Sequence, residues 1–523
     1  MGNEYRSFVR RKMFGENEYA YEVIPYYDRR KKQIRQHVKY LGKVTKEGIR
    51  RVRGVVVERP RVAVDFGDVF LVEEMIRETG VDHVLSEVFP KGAVSRLVVL
   101  VCSRVLRGVA VSQIGNWYEG TLLVHRYPER GWFSSQSVSR FLEKLGEDEL
   151  RVRRFFQRWY LRLGGSKKGL FYDITSLSSS SHLIEMLEYG YNRDNETLPQ
   201  VNVGMVVVSD SGLPVTYKVF PGSIPDVKTL VNLLTDLRGM GMEDVRLVLD
   251  RGFYSLKNVG ALVNQRLRFI LPLPFSRTVT RRLLSRERKH LESPEHVHSY
   301  EGSFLHAIQG TLDLAGHRLH YSLYYDRERE TRERNQFFRA LIEVEERLGQ
   351  RMLQRGEKPW EVFEDIAGKC APYLLYRLDN GRLILRRRVK AISRYLNRLG
   401  KEILVASEEL PWDMPLSLYR AKERVEKVFR AMKNELSTLP LKIHKESTLK
   451  GYLFVAYLSL IIYFHLQNRL KDSGVLKKIS LEGVLGELRK LKLVDFPSTR
   501  YLCEVTKKQT ELFDTLGISV PKI

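Results

Sequence analysis

A change of periodicity near residue 166 constrains this chain more than any other feature. Upstream, FLVEEMIRETG, SRLVVLVCSRVLRG and SVSRFLEKLGED repeat their apolar residues every three or four positions, as amphipathic helices do. Beyond it, GLFYDITSL, VNVGMVVVSD, LPVTYKVF, VRLVLD and RFILPLPF are short runs rich in β-branched and aromatic residues, which suit strands. Between the third and fourth lies PDVKTLVNLLTDLRGMG, with Pro225 to open a helix and Gly239 and Gly241 to close it. SLKNVGALVNQ supplies a second helix before the fifth run. Three strands, a helix, a strand, a helix and a strand predict a mixed α/β sheet.

The remaining segments group around that sheet. Residues 1–58 hold two Tyr/Val/Ile runs about a polar turn at Asp28-Arg29-Arg30-Lys31-Lys32, a β-hairpin signal. Their tyrosines and arginines suit DNA contact and an ordinary hairpin equally. Residues 59–165 predict a helical, DNA-binding domain. Its candidate recognition helices are 111–117 and 134–145, because a groove-entering helix wants short polar residues and arginine near its start; an ordinary helical domain carries the same pattern. Residues 166–275 are the first part of the sheet core.

Residues 276–410 interrupt the core. A loop so long needs structure of its own, so they predict an insertion domain. Arg281, Arg282, Arg386, Arg387 and Arg388 there suit either a DNA path or a solvated face. Residues 411–470 resume the core, and 471–523 predict a C-terminal helical region suited to oligomerisation. The most apolar stretch, GYLFVAYLSLIIYF at 451–464, is shorter than the about 20 residues that span a bilayer. It predicts a buried helix and no membrane partner.

Lys and Arg number 88 against 63 Asp and Glu, a net charge of +25, which calls for a polyanionic partner. Cys102, Cys370 and Cys503 are isolated, with no CxxC, so neither a disulfide framework nor a zinc site is expected, and a reducing cytoplasm is. The opening MGNEYRSFVRRK lacks the apolar core of a signal peptide.

Three acids stand out. Asp173 and Asp250 each end an apolar, strand-like run, and Glu426 lies in the basic helical stretch YRAKERVEKVFRAMK. Carboxylates at the ends of neighbouring strands repel one another, and divalent cations remove that cost. At about 100° per residue, Tyr419, Lys422, Glu426 and Lys433 fall on one helical face within roughly 40°. Val425, Phe429, Met432 and Leu436 form a separate apolar stripe. One acid among cations suits a metal ligand beside phosphates. Singly, Asp173 reads as a strand-end acid, Asp250 as a turn former, and Glu426 as an i±4 partner of Lys422 or Arg430. Their conjunction carries the reading.

These motifs resemble the DDE transposases of bacterial and archaeal insertion sequences. The YRAKERVEKVFRAMK stretch is similar to the Y-(2)-R-(3)-E-(6)-K signature, with Tyr419, Glu426 and Lys433 in place and Lys422 where the family has Arg. That change keeps the charge and loses the guanidinium fork. FYDITS and LDRGFYS resemble the segments around the first and second Asp. The hairpin ending in KYLGK, the YYDRERE run and the apolar helix resemble the branch with a large insertion before its Glu. The resemblance implies an RNase H-like core, with Asp173, Asp250 and Glu426 binding two Mg²⁺ or Mn²⁺ ions. It implies double-stranded DNA partners, both terminal inverted repeats and target, gripped by Tyr419, Lys422, Arg430 and Lys433, and a homodimeric synaptic complex in the nucleoid-containing cytoplasm. Some relatives flip a base onto an aromatic ring, for which Trp360 and Trp412 are candidates; a core or hinge tryptophan is the simpler reading. A catalytically silent DNA-binding relative, an RNase H-like nuclease without joining activity and a structural nucleoid protein remain as alternatives.

Overall fold

The computed structural model describes residues 6–521 except 29–30, 47, 51–58, 129–130, 166–168, 182, 191, 193–195, 243–244 and 437–442. The chain forms two units, Met1–Ala63 with Val494–Tyr501, and Val64–Leu493 with Leu502–Lys522.

The smaller unit carries a four-stranded antiparallel sheet of Phe8–Phe14, Asn17–Asp28, Gln33–Thr45 and Gly48–Arg50, paired in chain order. The two long strands pair from Tyr19–Lys43 to Asp28–Gln33, with a bulge between Ala20 and Tyr21. Residues 29–30 of the expected turn lie outside the described residues.

The larger unit is organised on a nine-stranded mixed sheet. Along the chain its strands are β1 (Gly169–Ser178), β2 (Gln200–Val208), β3 (Pro214–Pro221), β4 (Arg246–Leu249), β5 (Arg268–Pro272), β6 (Val297–Tyr300), β7 (Ser303–Leu314), β8 (His317–Tyr325) and β9 (Lys401–Ala406). Across the sheet the order is β6-β7-β8-β9-β5-β4-β1-β2-β3. β2 runs antiparallel to β1 and to β3, whereas β4 runs parallel to β1 and to β5. Helices Asp226–Gly239 and Leu256–Asn264 make the crossovers into β4 and β5, the order that the apolar runs predict. All nine residues of β2 are buried, which is why VNVGMVVVSD reads as a continuous apolar run instead of alternating.

The segment 276–410, expected as one insertion domain, divides. β6, β7, β8 and β9 continue the main sheet past β5, with β9 pairing antiparallel to both β5 and β8. β5 would otherwise present an open edge of backbone groups, which β9 covers. Helices Arg327–Gln350, Pro359–Ala367 and Val389–Leu396, with the hairpin Leu374–Asp379/Arg382–Arg387, pack instead around a separate cluster that includes Phe337, Leu341, Phe363 and Leu383.

The apolar stretch 451–464 belongs to a longer helix, Glu446–Asp472, of 27 residues. Its length and composition would let it cross a membrane, yet 83% of its most apolar window is buried within the protein. It lies against helix Ser135–Glu147 with the two backbones touching. A Cβ on Gly146 would stand 1.8 Å from the Ser447 carbonyl oxygen, and one on Gly451 1.9 Å from that of Leu142. Only glycine permits that approach.

The helices of 59–165 share the sheet's hydrophobic core. Trp159 Nε1 donates to the Pro214 carbonyl at 2.8 Å, and the Phe156 and Tyr457 rings meet edge-on at 5.2 Å. Of the two candidate recognition helices, 111–117 is a 3₁₀ turn, Val111–Gln113, leading into the short helix Ile114–Glu119. Helix Ser135–Glu147 is capped by Ser134, whose side chain accepts from Ser137 N at 3.3 Å. It buries Val138, Leu142 and Leu145 and leaves Gln136, Ser139 and Arg140 exposed.

Candidate active site

The parallel register of β1 and β4 runs from Gly169–Arg246 to Tyr172–Leu249. Asp173 and Asp250 each follow the last residue of that register, and both line one cavity. The sequence places both acids at strand ends, and the structure corrects one of them. Asp250 does follow the last residue of β4 and leads into a 3₁₀ turn, Arg251–Phe253. Asp173 lies mid-strand, because β2 goes on pairing with β1 as far as Ser178–Gln200 after β4 has stopped. Asp173 Oδ1 accepts from its neighbour's backbone, Ile174 N, at 2.8 Å.

Glu426 comes from helix Glu423–Arg430, which buries Val425, Val428 and Phe429. The single long helix expected through Tyr419–Lys433 is interrupted twice. Helix Asp413–Arg420 ends before Ala421–Lys422, where tight bonds (Arg424 N to Ala421 O, 3.1 Å; Val425 N to Lys422 O, 2.9 Å) restart the chain as Glu423–Arg430. Residues Ala431–Glu435 then form a π turn, in which Leu436 N donates to Ala431 O at 2.9 Å. The uniform 100° rotation therefore does not hold across the segment. The apolar stripe survives, with Val425, Phe429, Met432 and Leu436 all buried.

Asp173, Asp250, Glu426, Arg430, Lys433 and Asn434 line one cavity of about 440 Å³. Tyr419 and Lys422 reach it through Asp250. Tyr419 OH donates to Asp250 Oδ1 at 3.1 Å, and Lys422 Nζ donates to the same oxygen at 2.9 Å while lying 4.0 Å from Glu426 Oε1. All seven candidate residues thus meet around one site.

The electrostatics follow from these contacts. Burial raises the Asp250 carboxyl, but the Lys422 ammonium, the Arg251 N–H and the Tyr419 hydroxyl outweigh it and hold the pKa below the usual range. Burial works against the charge on Lys422, yet the facing Asp250 carboxylate prevails and drives its pKa up. Burial and Asp250 together raise the Tyr419 phenol, so it stays a donor.

The acids offer oxygen donors only, the preference of hard divalent cations. Among the described residues no three His, Cys, Asp or Glu side chains converge on one ion position. Magnesium does not need such a cage, since one or two carboxylates with water and phosphate oxygens suffice. The donor chemistry fits, with Lys422 standing at Asp250 as the present counter-charge.

Sequence reasoning missed Glu402, buried in β9 at 7% exposure, with Arg329 Nη1 3.6 Å away. Burial raises its pKa despite Arg329, Arg251, Arg420 and Lys422 nearby. An acid inside the apolar run KEILVA is the signal that would have found it. Trp412 precedes helix Asp413–Arg420 and packs against the sheet: its ring stacks on His298 at 4.3 Å and its carbonyl accepts from Tyr324 OH at 2.5 Å. Trp360 is exposed on helix Pro359–Ala367.

A mixed sheet and a downstream helix that bring Asp173, Asp250 and Glu426, with Arg430 and Lys433, to one cavity define an α/β protein with a charged cleft. Residues 164–462 match the family described as the transposase DDE domain, more than half of the chain, and the chain belongs to that family. Among solved structures it is similar to a cryo-EM structure of the piggyBac transposase synaptic complex with hairpin DNA. That likeness has 11% identity and a TM-score of 0.36, and covers 81% of this chain and 79% of the other. No curated protein matches its sequence.

Proposed function

We propose that this transposase works by cut and paste: it binds the terminal inverted repeats of its element, cleaves there, and joins the freed 3′-OH ends to target DNA. The convergence of Asp173, Asp250 and Glu426 on one cavity, beside Lys422, Arg430 and Lys433, carries this reading. The β3-β2-β1-β4-β5 order, with only β2 reversed, supports an RNase H-like core.

In this reading Asp173, Asp250 and Glu426 hold two Mg²⁺ or Mn²⁺ ions. When bound, such ions neutralise phosphoryl charge and make water a better nucleophile. The chain's own residues do the rest. Lys422, Arg430 and Lys433 bind the DNA backbone so that the scissile phosphate faces the acids. Tyr419 fixes the orientation of the Asp250 carboxylate through its hydroxyl. Water attacks phosphorus in line during cleavage, and the 3′-OH does so during joining. Two element ends are paired by a homodimer, acting at the nucleoid.

The test uses the DNA flanking the gene as substrate, with wild type, Asp250→Ala and Glu426→Gln, in Mg²⁺ or EDTA, and maps ends on a sequencing gel. Metal-dependent cuts at paired inverted repeats together with joined products, both lost in the two variants while DNA binding persists, establish the function. Binding without cuts in any metal would replace it with a silent DNA-binding relative. Cuts without joined products would make the protein a nuclease. Equal cleavage by the variants would sink the site assignment.

A further inference from the structure

The N-terminal sheet separates its charges between its two faces. Residues directly opposite in antiparallel strands share a face, and alternate residues change face. The register pairs Phe8 with Val23, Arg10 with Tyr21, Lys12 with Tyr19 and Phe14 with Asn17. It continues with Tyr21–Tyr40, Val23–Val38, Tyr27–Ile34 and Tyr19–Lys43. One face therefore carries Phe8, Phe14, Tyr19, Tyr21, Tyr27 and Tyr40, interleaved with Arg10, Lys12 and Lys43. Glu18, Glu22 and Asp28 all fall on the other face, where Arg11 lies 3.8 Å from Glu18 and Arg35 3.6 Å from Asp28. Among the described strand residues the aromatic face holds no carboxylate.

The rings form a connected surface. Phe14 meets Tyr19 at 6.0 Å, Tyr19 meets Tyr40 at 6.1 Å, and Tyr21 meets Tyr40 at 5.4 Å. Arg10 lies over Phe8 at 5.6 Å. Phe14 is 58% exposed and Tyr40 39%. Rings that are left open on a sheet, among cations and away from acids, match the two parts of an unpaired nucleic-acid strand: base faces for stacking and phosphates for charge. A duplex hides its base faces. A second copy of the same face would set Arg10, Lys12 and Lys43 against their own like charges.

We propose that this face binds single-stranded DNA, stacking unpaired bases on Phe14, Tyr19, Tyr21 and Tyr40 and holding the backbone with Arg10, Lys12 and Lys43. None of these residues lines the carboxylate cavity, and the proposal does not depend on that cavity's chemistry.

Full-length protein is titrated with a fluorescein-labelled, non-self-complementary DNA strand and with the same strand in duplex, followed by anisotropy. The double variant Phe14→Thr/Tyr40→Thr, which keeps strand-forming residues, loses roughly tenfold or more in single-strand affinity for each ring removed. Lys12→Glu, which leaves the rings in place, also weakens single-strand binding. Tyr26→Thr, on the opposite face, changes nothing, and wild-type single-strand binding persists in EDTA, where metal-dependent cleavage fails. A bromodeoxyuridine-containing strand crosslinks to peptides bearing Tyr19 or Tyr40. Unchanged single-strand affinity in the ring and charge variants overturns the proposal. So does an equal loss on duplex, and so does a wild-type dimer that the ring variant dissociates in sedimentation, which would make the face a contact between copies.

Discussion

Lys422 Nζ and Asp250 Oδ1 lie 2.9 Å apart, so the cation that stands where the resembled signature has Arg is bonded to one of the carboxylates proposed here to hold metal. The Lys422 side chain is 32% exposed and that of Asp250 41%, which keeps the pair to about 1 kcal/mol or less. A divalent cation can displace the ammonium at small cost, and a DNA phosphate can receive it. Lys422→Met should then tighten Mn²⁺ binding to the DNA-free protein by roughly fivefold, read by calorimetry, while Lys422→Arg should not. An unchanged Mn²⁺ affinity in Lys422→Met would show that the contact does not compete with metal.

Backbone contact between helices Ser135–Glu147 and Glu446–Asp472 makes a second expectation. Gly451→Ala puts a Cβ against the Leu142 carbonyl oxygen, which neither backbone can yield without moving a helix. Overpacking of this kind costs about 1–3 kcal/mol, so the melting temperature should fall clearly, whereas Gly486→Ala, with open space around it, should change little. Equal melting of the two variants would contradict the close crossing.

His465 gives a pH dependence. Its Nε2 lies 3.4 Å from Glu78 Oε1. Burial lowers its pKa below the ordinary 6.5; Glu78 opposes that shift and Arg469 adds to it, and the net is downward. The unfolded chain therefore takes up the proton first. The contribution to stability is full above the ordinary value and is lost as the pH falls through the folded value. Thermal stability should decline below about pH 6.5, and His465→Leu should flatten that decline. Parallel curves for the two proteins would remove His465 as the cause.

DNA binding should weaken steeply with salt, because a chain of net charge +25 displaces many counterions from a duplex. Arg430→Ala should shallow the slope of log affinity against log salt by about one unit without changing sequence preference. A slope near zero in the wild-type protein would mean that binding does not run through phosphate contacts.

The central sheet was legible because β1 to β5 are buried runs with helices punctuated by Pro225 and Gly241 between them. The meeting of Asp173 and Asp250 was legible in outline, since each follows an apolar run. Asp173's mid-strand place was only half legible: GLFYDITSL reads as one strand-like run, but the unbroken apolar part stops at Tyr172, and Ile174 and Leu177 beyond it are spaced by polar residues. The sheet's extension was hidden for a different reason. β9 pairs with β8 across an intervening cluster of helices, and single-sequence periodicity carries no record of which distant strand a strand will join. The break at Ala421–Lys422 and the π turn were invisible because apolar spacing reports which face is buried and not which carbonyl each N–H reaches.

That π turn has a genetic consequence. It accommodates one residue more than an α turn, so the segment behaves as an α-helix with a single codon's insertion just after Arg430. Deleting Met432 would let the helix close its ordinary hydrogen bonds and would shift Lys433 and Asn434 relative to Glu426, leaving Asp173, Asp250 and Glu426 in place at the cost of one buried side chain. A one-codon length change here would therefore test the proposed grip on the strand apart from the proposed chemistry of the three acids.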